Sequence, residues 1–95
     1  MTTVVNLRND DYDVYIGRPS IFSNPFKIGP DGGREMVIEK FKVYFLDKIE
    51  KDENFRQAVL QLRGKRLGCF CYPLDCHGDV LAEWVDSHSD RNAGE

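Results

Sequence analysis

The stretch GKRLGCFCYPLDCHGD, residues 64–79, contains all 3 cysteines of the chain, Cys69, Cys71 and Cys76, with His77 after the last and Asp79 close behind. Three chemistries fit this set. The first is a reactive site. A helix opening near Cys76 presents unpaired N–H groups and a partial positive charge, which favour a thiolate. His77 and Asp79 in the same turn would supply an acid–base partner and a carboxylate to orient it. The second is a metal: Cys69, Cys71, Cys76 and His77 are enough ligands for tetrahedral zinc. The spacing is poor for it, because cysteines two apart on a flat strand have Cα atoms roughly 6.6 Å apart and their sulfurs converge only if the strand kinks. The third is packing, since cysteine is often buried as a small hydrophobe.

A second stretch, YIGRPSIFSNPF from Tyr15, adds polar groups. Gly17 takes the chain off a strand and Arg18 follows it. An arginine at a strand end suits a phosphate or carboxylate, because its planar fork donates two parallel bonds. Asn24 offers a donor and an acceptor ahead of Pro25. GPDGGRE, residues 29–35, is glycine-rich before a helix, but it matches neither the dinucleotide fingerprint nor the P-loop and reads as a turn. The expected site residues are therefore Cys76, His77 and Asp79 for chemistry, and Gly17, Arg18, Asn24 and Cys71 for the ligand.

These residues need elements to hold them. Thr3 to Leu7 and Asp13 to Ile16 read as short strands. A long loop with Ile21, Phe22, Phe26 and Ile28 follows, too apolar to stay unpacked. Arg34 to Lys51 is the clearest helix, with Ile38, Phe41, Phe45 and Ile49 repeating at three and four. A second helix runs from Glu53 to Arg63, capped by Asp52 and ended by Gly64. Lys65 to Cys71 reads as a strand with Leu67, Cys69 and Cys71 on one face and Phe70 on the other, both faces buried. Asp75 is expected to cap a third helix over Cys76 to Ser87. The expected fold is a small single α/β domain over residues 1–88, order β-β-α-α-β-α, with a disordered tail at 89–95. A strand feeding directly into a helix is the geometry that places ligands at strand C-terminal ends.

Composition narrows the class. The chain has 95 residues, 41% hydrophobic and 31% charged, ordinary for one globular domain. A net charge of -3 argues against a nucleic-acid partner. No apolar run approaches the ~18–20 residues of a membrane span, and no secretory signal is visible at the start. The odd number of cysteines then points to a reducing, cytoplasmic compartment.

Together, VYIGRPSIFSNPFKIG and LRGKRLGCFCYPLDCHGDVLAEW resemble a family of small domains of unknown function common in phage and bacterial genomes. Its pattern is an Arg-Pro loop, then Asn-Pro-Phe, an amphipathic helix, and Gly-Lys-x-Leu-x-Cys-x-Cys-x-Pro-x-x-Cys-His-x-Asp-Val-Leu. The likeness runs from about Val14 to Trp84, and the Cys-His helix start is also similar to that of another uncharacterised α/β family, which implies the strand–turn–helix placement of Cys76 and His77. It implies no activity or cofactor. On the residues, the favoured expectation is a domain that binds a small anionic, nucleotide-like ligand through Arg18 and the Cys76–His77 turn, with or without catalysis. The alternatives are a zinc-held structural domain, and a phage-type protein that binds and blocks a host factor.

Overall fold

The computed structural model of the protein describes residues 1–71 and 74–88. The expected tail at 89–95 lies outside them. The elements are β1 (Thr3–Asn6), β2 (Val14–Tyr15), α1 (Arg34–Lys51), α2 (Glu53–Leu60), β3 (Arg66–Cys69) and α3 (His77–His88), in the expected order and class.

The strands form one parallel sheet in the order β1-β3-β2. Leu67 sits opposite Val4 on one side and Val14 on the other. The last strand in sequence is thus the central one. Its inward side chains, Leu67 and Cys69, are buried, while Gly68 faces outward under the Tyr12 ring. A Cβ on Gly68 would lie 2.7 Å from the Tyr12 Cγ, so only glycine lets that ring lie flat on the sheet. At the start of β2, Asp13 accepts from the Arg66 backbone N–H at 2.7 Å and pairs with its guanidinium at 3.2 Å. That neighbour holds the Asp13 carboxyl below its usual range.

The helices cover the inner face. On α1 the buried positions are Val37, Phe41, Phe45 and Ile49, a stripe at intervals of four that a helix brings to one side. Asp52 serves two helices: its backbone N–H donates to Lys48 O at 2.8 Å, and its side chain accepts from Phe55 N at 3.1 Å. Phe55 and Val59 of α2 complete the packing around Phe45, together with Leu81, Trp84 and Val85 of α3. At the other end Thr2 ties three segments together. Its hydroxyl donates to Asp86 at 2.7 Å and accepts from Gly64 N at 2.9 Å.

Several boundaries differ from expectation. α2 stops at Leu60, and residues 61–64 form tight turns ending at Gly64, whose φ of 76° suits glycine. β3 stops at Cys69, so Cys71 lies beyond the strand and Phe70 is 53% exposed rather than buried. The cap of α3 is Cys76, not Asp75. The Cys76 N–H donates to the Asp79 carboxylate at 3.1 Å, and Gly78 N–H donates to the Cys76 sulfur at 3.3 Å. This is a variant of the capping box, in which sulfur replaces the usual hydroxyl oxygen and accepts from the second helical N–H instead of the third.

Candidate functional site

A cavity of about 540 Å³ opens where β2 and β3 end. It is closed by the loop after β2 and by the first turns of α1 and α3. Arg18 and His77 both line it, as do Gly17, Asn24, Cys71 and Cys76. The front loop and the strand–helix turn therefore share one hollow. The volume lies inside the range of about 300–1,000 Å³ common for small-molecule sites.

Arg18 lies three residues past the end of β2, and its peptide bond to Pro19 is cis. Its Nη2 donates to the carbonyls of Asn24 at 3.1 Å and Phe26 at 3.3 Å, so one edge of the guanidinium is fixed by the loop it begins. The Tyr15 hydroxyl donates to Arg18 O at 2.7 Å and turns the phenol across Gly17. Any Cβ at Gly17 would collide with that phenol, which explains the glycine.

Asn24 plays a different part from the expected ligand contact. Its Oδ1 accepts from Phe26 N at 2.9 Å and its Nδ2 donates to Val37 O at 3.1 Å. The Oδ1 bond closes a turn within the loop and the Nδ2 bond ties that turn to α1, so Asn24 positions the carbonyls that seat Arg18. Asn24→Ala should lower stability by about 1–3 kcal/mol, because the Phe26 N–H loses its acceptor in a half-buried place. A urea-unfolding midpoint equal to wild type would show that the loop does not need this staple.

His77 is held by the backbone. Its Nε2 lies 2.8 Å from Ile16 O, and its ring meets Phe41 edge-on at 5.2 Å. A carbonyl only accepts, so Nε2 carries the proton and Nδ1 is the basic nitrogen. Asp79 does not orient it, contrary to expectation; the carboxylate is engaged with Cys76 N as a cap. Burial lowers the His77 pKa, the Ile16 bond opposes this, and the Arg18 charge adds to the lowering. The balance favours the uncharged imidazole.

A pH dependence follows. The unfolded chain binds a proton near the ordinary histidine value of 6.5, which the folded imidazole resists. Stability is therefore full above that value. It falls as pH drops through it, by up to about 1.4 kcal/mol per pH unit. Unfolding midpoints between pH 5 and 8 should show the decline in wild type and a flatter profile in His77→Gln. Parallel profiles would mean that His77 does not carry it.

Cys76 departs furthest from expectation as a nucleophile. It is 4% exposed, its sulfur is 3.4 Å from that of Cys69, and both belong to the core cluster. The hydrogen bond with Cys69 and burial push its thiol pKa up, overriding the helix N-terminus that would lower it. Both effects favour the thiol over the thiolate. Cys71, half-buried, is the cysteine on the cavity wall outside this buried pair. Among the described residues, no group of three or more His, Cys, Asp or Glu side chains is arranged to hold a metal ion.

The sequence reading missed part of the wall. Lys27, Arg34 and Asp75 line the cavity, as do the rings of Tyr15, Phe26 and Phe70. Arg34 Nη1 donates to Asp75 O at 3.1 Å across the mouth, joining the start of α1 to the approach to α3. Arg34 reads in sequence only as the first residue of a helix.

No described helix is long and apolar enough to cross a membrane. No solved structure matches the chain. It is 43% identical over 84 residues to the "Uncharacterized 12.4 kDa protein in nrdA-td intergenic region" of Enterobacteria phage T4, covering 87% of this chain and 76% of that one. It is 32% identical over 89 residues to "Uncharacterized protein R718" of Acanthamoeba polyphaga mimivirus, covering 75% of this chain and 65% of the other. The family model "Domain of unknown function (DUF4326)" matches residues 3–87, nearly the whole described body including every cavity residue named above, and the chain belongs to that family.

Proposed function

We propose that this domain binds a small anionic, ring-bearing ligand of nucleotide type in the cavity at the ends of β2 and β3. The observation that carries the reading is the make-up of the wall. On a chain of net charge -3, the cavity gathers Arg18, Lys27 and Arg34 against one acid, Asp75, beside the rings of Tyr15, Phe26 and Phe70. Cations and flat apolar surfaces side by side favour a ligand with both an anionic group and a ring.

If chemistry occurs there, His77 is the group equipped for it. Its Nε2 is engaged with Ile16 O, which leaves Nδ1 as the basic nitrogen, and burial favours the uncharged ring in a wall that Arg18 shares. Cys76 takes no part, and Asp79 acts only through the helix cap. A cytoplasmic setting belongs to the same reading and suits a chain whose cysteines are thiols.

Calorimetric titration of the wild-type protein with a panel of nucleosides and nucleotides tests the proposal, with Arg18→Ala as the control for location. Saturable binding that weakens in the variant supports it. A panel with no heat of binding, repeated by ligand-detected NMR with the same result, ends it.

A further inference from the structure

The charges and fixed donors of the cavity specify the ligand more narrowly. We infer that it selects a nucleoside monophosphate, one phosphate group and one flat base, over the corresponding diphosphates and triphosphates. This inference rests on the anionic-ligand reading above.

The first support is charge balance. Among the described residues, Arg18, Lys27 and Arg34 against Asp75 leave the wall with two net positive charges, and the burial of His77 disfavours a further one. A phosphate monoester carries about −1.5 to −2 at neutral pH, which matches. A longer phosphate chain would bring charge beyond what Arg18, Lys27 and Arg34 balance, and the Arg8 guanidinium is already engaged over the Phe70 ring. Asp75 would face that surplus with its own negative charge.

The second support is geometry. Two arginines from different segments are each pinned by backbone oxygen: Arg18 through the Asn24 and Phe26 carbonyls, Arg34 through the Asp75 carbonyl. A guanidinium has five N–H donors, so both retain donors after these bonds, on a side chain already held in place. Both line the same cavity, and a single phosphate has oxygens enough for both forks.

The third support is the ring surface. Phe70 is 53% exposed, packs edge-on to Tyr15 at 6.3 Å, and carries the Arg8 guanidinium over its ring at 5.0 Å. It is a large apolar ring left open at the mouth of a charged cavity and held from two sides. A base stacked there would cover it.

The test compares adenosine, AMP, ADP and ATP by calorimetry, with the guanine, cytosine and uracil series beside them. The expected result is a monophosphate that binds at least about tenfold tighter than its nucleoside, its diphosphate and its triphosphate. Asp75→Asn removes the opposing charge but keeps the carbonyl that seats Arg34. It should narrow the gap between monophosphate and diphosphate by roughly fivefold. A diphosphate or triphosphate that binds as tightly as the monophosphate, or a gap unmoved in Asp75→Asn, overturns this inference and leaves the anionic-ligand reading standing. Absence of binding across every series overturns both.

Discussion

Truncating Phe45 to alanine is expected to lower the unfolding free energy by about 3–5 kcal/mol. Phe45 is fully buried at the meeting of all three described helices. It stacks on Phe41 at 5.6 Å and meets Phe55 at 6.0 Å and Trp84 at 5.9 Å, both edge-on. None of these rings can move into the vacated volume without leaving its own contacts, so most of the cavity would persist. A domain of this size holds a surplus of only about 5–15 kcal/mol, so the loss is a large share of it. In a thermal melt the midpoint should fall on the order of 20 °C. A fall of less than about 5 °C would mean that the rings repack around the gap, and that the core is less tightly interlocked than these contacts describe.

The second large effect is on binding. Arg18→Ala should weaken the affinity for an anionic ligand by about 10- to 150-fold, the equivalent of roughly 1.5–3 kcal/mol for a lost charged hydrogen bond. The fold should tolerate it, because Arg18 is exposed and the Asn24 and Phe26 carbonyls that it caps lie in a loop that water can reach. Arg18→Lys keeps the charge without the fork and should recover only part of the affinity. The charge has a second readout. Arg18 contributes to the lowering of the His77 pKa, so the alanine variant should raise it, visible as a shift in the imidazole NMR titration. Affinity within about twofold of wild type, with the His77 titration unmoved, would remove Arg18 from the site.

How much of this was legible in the chain depends on how local each cause is. α1 has the expected limits, Arg34 to Lys51, because eighteen residues of helical periodicity outweigh any ambiguity at the ends. Asp52 and Gly64 act where their conformational preferences place them. The strands are shorter than their β-branched runs imply. Pairing, which ends β3 at Cys69, is decided by partners some sixty positions away. Phe70 looks like core in a strand pattern, yet it sits one residue past the last ladder position, where the alternation no longer applies.

The cysteine segment shows the same divide. A thiol at a helix start is a sound local reason to expect a thiolate, but it assumes that the sulfur meets water or substrate. Here the sulfur faces Cys69 in the core, and burial reverses the sign. The spacing of Cys76 and Asp79 carried a better reading than catalysis. A small polarisable side chain three residues ahead of an acid is the pattern of a reciprocal helix cap. Arg18 and His77 come to one hollow because both follow strand ends in a parallel sheet, a relation visible once the order of elements is known. The cations at Lys27 and Arg34 were not legible, since only the folded loop brings them there.

The strand order has a consequence for synthesis. Neither N-terminal strand touches the other; each pairs only with a segment whose last ladder residue is Cys69. A nascent chain emerging from the ribosome therefore carries two unmatched β-edges until the segment ending at Cys69 has emerged. In that interval only the helices can form early contacts, and the exposed edges are left to whatever chaperone or neighbour reaches them first.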